Sequence, residues 1–182
     1  MSIMITCVHQ RSISTHPPEQ MWYNATARAP AGAAHYSSCM LEGLLPRTYV
    51  AIDLETTGLS AERDAIIEVG AVKFCGDDVL DTFGTFVSPG RTIPPEITDL
   101  TGIRDEDVAG APGVHTVLAE LARFVSEAPI VGHSVDFDLA FLRRLSHEFR
   151  NESLDTFELA GVLLPHADRY SLSELTNSLE ID

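Results

Sequence analysis

The chain has 182 residues, of which 45% are hydrophobic and 21% are charged. This length fits one domain, or one domain with an extension, and the composition excludes a globally disordered chain. The net charge of −15 excludes a protein that grips nucleic acid mainly through basic contacts to phosphates. No apolar run approaches the ~20 residues of a membrane helix, so no membrane partner is expected.

Residues 1–47 are predicted to form a poorly structured N-terminal extension. They contain scattered Ser, Pro, Ala and Thr without a sustained helical or strand period. They also lack the basic stretch and apolar segment of a secretory signal. The cysteines Cys7, Cys39 and Cys75 are odd in number and have no metal-binding spacing, which predicts no disulfide framework. Together these features predict a cytoplasmic location.

Three consecutive strands are predicted from Tyr49 onward. YVAIDLE is the short, nearly all-apolar run of a central strand buried on both faces, and DAIIEVGAVKF supplies a second strand. After a turn at residues 75–78, VLDTFGTFVSP alternates in the manner of a third strand. The order of these segments predicts a three-strand meander.

Strands and helices are predicted to alternate in the rest of the chain. Apolar residues repeat at helical spacing over residues 114–125, a short buried strand follows at 129–132, and a helix runs through FDLAFLRRLSHEF. A further helix is expected from Asp155 to Leu164, and a capping box of Ser171 and Glu174 opens the last helix. The fold class is therefore α/β, a mixed sheet flanked by helices.

Two acidic side chains on the first strand point to metal chemistry. Asp53 and Glu55 are two residues apart, so they lie on one face about 7 Å apart along the strand. Burying ionised carboxylates costs several kcal/mol each unless a cation or donors meet them, and a divalent metal meets both. The alternative is that the strand ends at Asp53 and both acids are solvated. The following Thr56, Thr57 and Gly58 suit a turn that holds a phosphate.

The helix after residue 134 contributes a further acid. At about 100° per residue, Asp138 falls within the apolar stripe of Phe141 and Leu142, whereas Asp136 falls on the solvated face. Asp138 is therefore the acid expected to reach a metal held by the first strand. The alternative is an ordinary acid in the first turn of a helix.

Four segments, YVAIDLETTGL, IIEVGAV, PPEITDLTGI and VGHSVDFDLAFL, occur in this order. With them residues 48–182 resemble the DEDD (DEDDh-type) 3′–5′ exonucleases, in the branch of the DNA polymerase III epsilon subunit and RNase T. Similar domains are fused to polymerases or helicases. The resemblance implies a ribonuclease-H-like fold and a nuclease of DNA replication or repair that hydrolyses a single-stranded DNA or RNA 3′ end, with a polymerase or helicase as partner.

The resemblance also implies the site. Asp53, Glu55 and Asp138 would be the catalytic residues and the ligands of two divalent metal ions, Mg²⁺ or Mn²⁺. The terminal nucleotide would contact a substrate-binding set that comprises Thr56, Thr57, Gly58, Leu59, Thr101 and Ile103.

Two departures from the family pattern leave alternatives open. Ser134 stands where the family usually has Asn, and the third motif, His-x4-Asp, has no separate match, because His133 leads to Asp138 itself. The exonuclease domain is therefore expected to be incomplete at its C-terminus, before its catalytic base. One alternative is a catalytically impaired nucleic-acid-binding or regulatory module. Another is a haloacid-dehalogenase-like phosphatase with Asp53 as nucleophile, which lacks a suitably placed lysine.

Overall fold

The structure, a computed structural model, describes residues 47–181. The predicted extension lies outside this range, apart from Arg47. Its strands are β1 (Thr48–Thr56), β2 (Ile66–Cys75), β3 (Asp78–Phe86), β4 (Ile130–Gly132) and β5 (Ser153–Asp155). Its helices are α1 (Pro95–Thr101), α2 (Asp105–Val108), α3 (Val114–Val125), α4 (Val135–Leu145), α5 (Thr156–Leu163) and α6 (Leu172–Ser178). Across these residues, no helix is long and apolar enough to cross a membrane.

The sheet is mixed, with the strand order β3-β2-β1-β4-β5. The first three strands pair antiparallel, and β4 and β5 add in parallel through helical crossovers. Gly76 has φ 60°, a left-handed conformation that lets β2 turn tightly into β3. This architecture confirms the predicted meander followed by alternating strands and helices.

One face of β1 packs against the helices. Val50, Ile52 and Leu54 alternate into a core shared with the apolar stripe of α3. That stripe consists of Val117, Leu118, Leu121 and Val125, all buried. Because side chains alternate along a strand, Asp53 and Glu55 project to the opposite face of the sheet.

Several local predictions were wrong, each where tertiary contacts decide the outcome. Helix α4 ends at Leu145, since Ser146 is extended (φ −148°, ψ 138°), although Phe149 still reaches the core from the following loop. Helix α6 does begin after Ser171, but the Ser171 side chain makes no capping bond, so the predicted capping box is absent. The short elements α1, α2 and β5 have too few residues to show a period.

The prediction of no disulfide is also contradicted. Cys75, at the end of β2, is disulfide-bonded. The spacing of three cysteines along the sequence carries no information about which of them the fold brings together.

Candidate active site

The two acids of β1 lie where this strand runs past its parallel neighbour. Strand β4 pairs with β1 only at Val50 and Ala51, whereas β1 continues to Thr56 along β2. The alternative that the strand ends at Asp53 is therefore wrong. Asp53 is exposed and Glu55 is half-buried. The carboxylates thus stand at the carboxyl end of a central strand.

Asp138 joins them from helix α4. Its side chain is only 5% exposed, and its Oδ1 accepts a hydrogen bond of 3.1 Å from the backbone N–H of Leu54. This N–H lies beyond the end of β4, so the carboxylate takes the place that a longer β4 would occupy in the ladder. Asp136 is exposed, as predicted. The fold therefore brings together two motifs that are 84 residues apart in the sequence.

Burial dominates the electrostatics of Asp138. Desolvation raises the pKa of this carboxyl to about 8, with a further increase from the negative charge of Asp53 and a smaller one from Glu55. The Leu54 N–H acts in the opposite direction and lowers the pKa. Without a cation, Asp138 is therefore mainly protonated at neutral pH.

The donor set fits a hard divalent cation. A buried carboxyl beside two further carboxylates gains most from a positive charge, and carboxylate oxygens are the ligands that Mg²⁺ and Mn²⁺ prefer. Between residues 47 and 181, however, no group of three or more His, Cys, Asp or Glu side chains converges as a ready-made cage. Asp138 Oδ1 instead accepts the hydrogen bond from the backbone N–H of Leu54.

The turn after β1 is braced by its own threonines. Thr57 donates its N–H to Ala65 O (2.8 Å), and its Oγ1 accepts from Ala65 N (3.0 Å). Thr56 Oγ1 donates to Gly58 O (2.7 Å). Both threonines are buried, while Leu59 is 86% exposed. The hydroxyls predicted to meet a nucleotide therefore hold the turn, and Leu59 is the side chain presented to solvent.

Gly58 has no room for a side chain unless Asp64 moves. A Cβ at this position would lie 2.5 to 2.9 Å from the Asp64 carboxylate, which accepts from Ser60 N (2.8 Å). We expect Gly58→Ala to displace Asp64 and to lower the free energy of unfolding by about 1–3 kcal/mol in urea denaturation. The matched control is Gly110→Ala, because no atom lies within 4 Å of that Cβ position. Equal stability of the two variants would contradict this account of the turn.

The second predicted substrate segment lies at the end of α1. Thr101 Oγ1 donates to Ile97 O (2.9 Å) and accepts from Ile103 N (3.1 Å), and Gly102 has φ 76°. Ile103 is fully buried in a small second core, whereas Leu100 is 73% exposed. The Ile103 side chain therefore anchors this segment in the fold and is not itself open to a ligand.

Two acids near the site were given only structural roles by the sequence. Glu68, expected to be a structural strand residue, is 8% exposed and lies directly opposite Glu55 in the β1–β2 register. The loop of residues 57–65 between the two strands is too long to indicate this pairing from the sequence. Asp155 is the N-cap of α5, as expected, but its carboxylate also bonds the start of α4. No sequence period could have indicated that second contact.

Comparison with known proteins decides the family. The exonuclease family (RNase_T) matches residues 50–182. The chain belongs to this family. It is 38% identical to the DNA polymerase III subunit epsilon of Aquifex aeolicus over 144 residues, which are 76% of this chain and 71% of that protein. It is 37% identical to a PolC-type DNA polymerase III of Clostridium perfringens over 73% of this chain, but spans only 10% of that polymerase.

Solved exonucleases share the fold. Exonuclease X in complex with 5′-overhanging duplex DNA has a TM-score of 0.62 and 28% identity, with 74% of each chain covered. A zinc-bound Escherichia coli exonuclease I complex with single-stranded DNA has a TM-score of 0.63 at 19% identity, covering 74% of this chain and 35% of that one, and supports the fold alone. The chain is thus an exonuclease domain of the 3′–5′ DEDD type with a ribonuclease-H-like sheet, and the phosphatase alternative is wrong.

Proposed function

We propose that residues 48–182 form a metal-dependent domain that removes nucleotides from a single-stranded DNA 3′ end during replication or repair. The main observation in support is the buried Asp138 carboxyl, bonded to Leu54 N and within the electrostatic influence of Asp53 and Glu55. A buried acid with a strongly raised pKa, beside two further acids, is a typical feature of a functional site.

Asp53, Glu55 and Asp138 would hold two divalent cations, Mg²⁺ or Mn²⁺. When bound, such a pair activates a water and stabilises the charge that develops on the leaving 3′ oxygen. The chain's own contribution is placement: β1 fixes Asp53 and Glu55 on one face, and the Leu54 N–H holds one oxygen of Asp138. The cations would also keep Asp138 ionised.

The substrate-binding surface would be built from the two segments beside these acids. Leu59 is exposed at the turn after β1, where Thr56, Thr57 and Gly58 fix its backbone. Thr101 and Ile103 would fix the end of α1, with Leu100 exposed. Exposed apolar side chains of this kind can pack against a terminal base.

The charge of the chain suggests help from a partner. A net charge of −15 opposes phosphate binding, so cations at the site and a second protein would both favour the complex. Relatives named as a DNA polymerase III subunit and as a PolC-type DNA polymerase III support a polymerase as this partner. A cytoplasmic location is proposed together with it. The sequence resemblance also implies an associated or fused helicase as a partner.

Degradation of a 5′-labelled single-stranded oligonucleotide in Mn²⁺ tests the proposal. We expect a ladder that shortens from the 3′ end, and no ladder with EDTA or with the Asp53→Ala/Glu55→Ala double variant. The matched control is Asp77→Ala/Asp78→Ala, which removes two exposed acids from the β2–β3 turn and should cleave like the parent chain. Equal cleavage by both double variants would overturn the assignment of the site.

A binding module without efficient hydrolysis is the second candidate. It is favoured by the position of Asp138, whose Oδ1 accepts from Leu54 N and whose raised pKa leaves the carboxyl mainly protonated at neutral pH. The same assay separates the candidates, because a binding module would retain Mn²⁺-dependent binding of the 3′ end and leave the oligonucleotide intact.

A further inference from the structure

Asp155 contacts two helices at once. Its Oδ1 accepts from Phe157 N (2.8 Å), the usual bond of an N-cap to its own helix, here α5. The same carboxylate reaches the start of α4, where Oδ1 accepts from Ser134 N (3.0 Å) and Oδ2 from Val135 N (3.0 Å). One side chain therefore satisfies three backbone N–H groups that helix formation leaves without intrahelical partners.

The segment that Asp155 holds needs external support. Ser134 has φ 62° and ψ 45°, the left-handed conformation that costs about 1–2 kcal/mol for most residues other than Gly. A second tie joins the same two elements, since Thr156 Oγ1 donates to Gly132 O (3.1 Å) and lies 3.0 Å from His133 Nδ1. The end of β4 and the start of α4 are thus fastened to the β5–α5 junction.

Asp138 lies on the first turn of α4, three residues after Val135. The position of its carboxylate against Leu54 therefore depends on how the start of α4 is held. We propose that Asp155 is a positioning residue for the metal site, acting through the Ser134 and Val135 N–H groups to place Asp138 beside Asp53 and Glu55. This inference rests on the proposed function, because it requires that these three acids bind cations.

Two substitutions separate positioning from ordinary capping. Asp155→Ser keeps a good N-cap for α5 but is too short to reach α4. Asp155→Asn keeps the length but offers one acceptor oxygen, so it can keep the two bonds of Oδ1 but loses the bond of Oδ2 to Val135 N. The matched control is Asn151→Ala. In the parent chain, Asn151 Nδ2 donates to Ser126 O (2.7 Å) and Ala128 O (2.8 Å) in the loop before β4, and the variant loses both hydrogen bonds.

Hydrogen exchange of the backbone amides tests the positioning itself, without any metal. In Asp155→Ser we expect the amides of residues 134–138 to exchange at least about tenfold faster, while those of α5 stay protected. In Asn151→Ala the amides of residues 134–138 should exchange at the parent rate. Unchanged exchange at residues 134–138 in Asp155→Ser would overturn the inference.

Mn²⁺ titration followed by electron paramagnetic resonance tests the consequence. We expect the half-saturating Mn²⁺ concentration to rise about 10- to 100-fold in Asp155→Ser, less in Asp155→Asn, and not in Asn151→Ala. With parent-like binding in Asp155→Ser, Asp155 would be only a structural cap and the inference would fail. If Asp53→Asn also binds Mn²⁺ like the parent, the proposed function fails as well, which distinguishes the two failures.

Discussion

Asp138→Asn is expected to remove Mn²⁺ binding at the site while leaving the metal-free fold at least as stable as the parent. Asn has nearly the same shape, and its Oδ1 can still accept from Leu54 N. Because burial raises the pKa of Asp138 to about 8, the metal-free parent already carries a mainly neutral group there at pH 7. The substitution therefore costs the fold little and removes a charged ligand.

The expected loss of Mn²⁺ affinity is more than about 100-fold, since even outer partners of metal ligands are worth 10- to 100-fold. Titration calorimetry measures the affinity, and thermal unfolding in EDTA measures the stability. Asp136→Asn is the matched control, because it is the same change on the exposed face of the same helix. Parent-like Mn²⁺ affinity in Asp138→Asn would contradict the assignment of Asp138 as a ligand.

The second large effect is a pH dependence that a cation reverses. In the metal-free protein, the pKa of Asp138 is about 8 when folded, against an ordinary value of 3.8. Between these values the folded state binds a proton that the unfolded state has lost. The stability contributed by this group is thus complete below pH 3.8 and is lost as the pH rises to about 8.

The slope from this single group is at most about 1.4 kcal/mol per pH unit. Mn²⁺ competes with the same proton, so its affinity should rise by up to about tenfold per pH unit and level off above pH 8. Urea denaturation from pH 5 to pH 9, in EDTA and in Mn²⁺, measures both effects. Subtracting the Asp138→Asn curve removes the contribution of the other acids, and parallel curves for parent and variant would rule out a raised pKa at Asp138.

The alternation of side chains along β1 and the apolar stripe of α4 are clear enough in this sequence to predict the faces on which the three acids lie. Asp53 and Glu55 share a face because side chains alternate along β1, and Asp138 lies on the buried face of α4 because it falls within an apolar stripe. Both predictions depend only on local geometry and on which positions are apolar. The mixed sheet was predictable for the same reason.

Contacts between segments distant in sequence were not predictable in this way. The Thr57 hydroxyl accepts a hydrogen bond from Ala65 N. The Asp155 carboxylate accepts from the N–H groups of Ser134 and Val135. The position of each side chain is therefore set partly by a contact outside its own helix or strand. Helix α1 begins at a proline and is too short for a periodic signal. Such features depend on which backbone N–H groups have no backbone hydrogen-bond partner in the completed fold.

Asp53, Glu55 and Asp138 are proposed to bind divalent cations together. Anomalous diffraction from a crystal grown in Mn²⁺ near pH 8, where Asp138 is readily ionised, measures this directly. We expect manganese peaks within coordination distance of all three carboxylates, including an oxygen of Asp138. Manganese bound only at other acids of this acidic chain, with none at Asp138, would contradict this assignment.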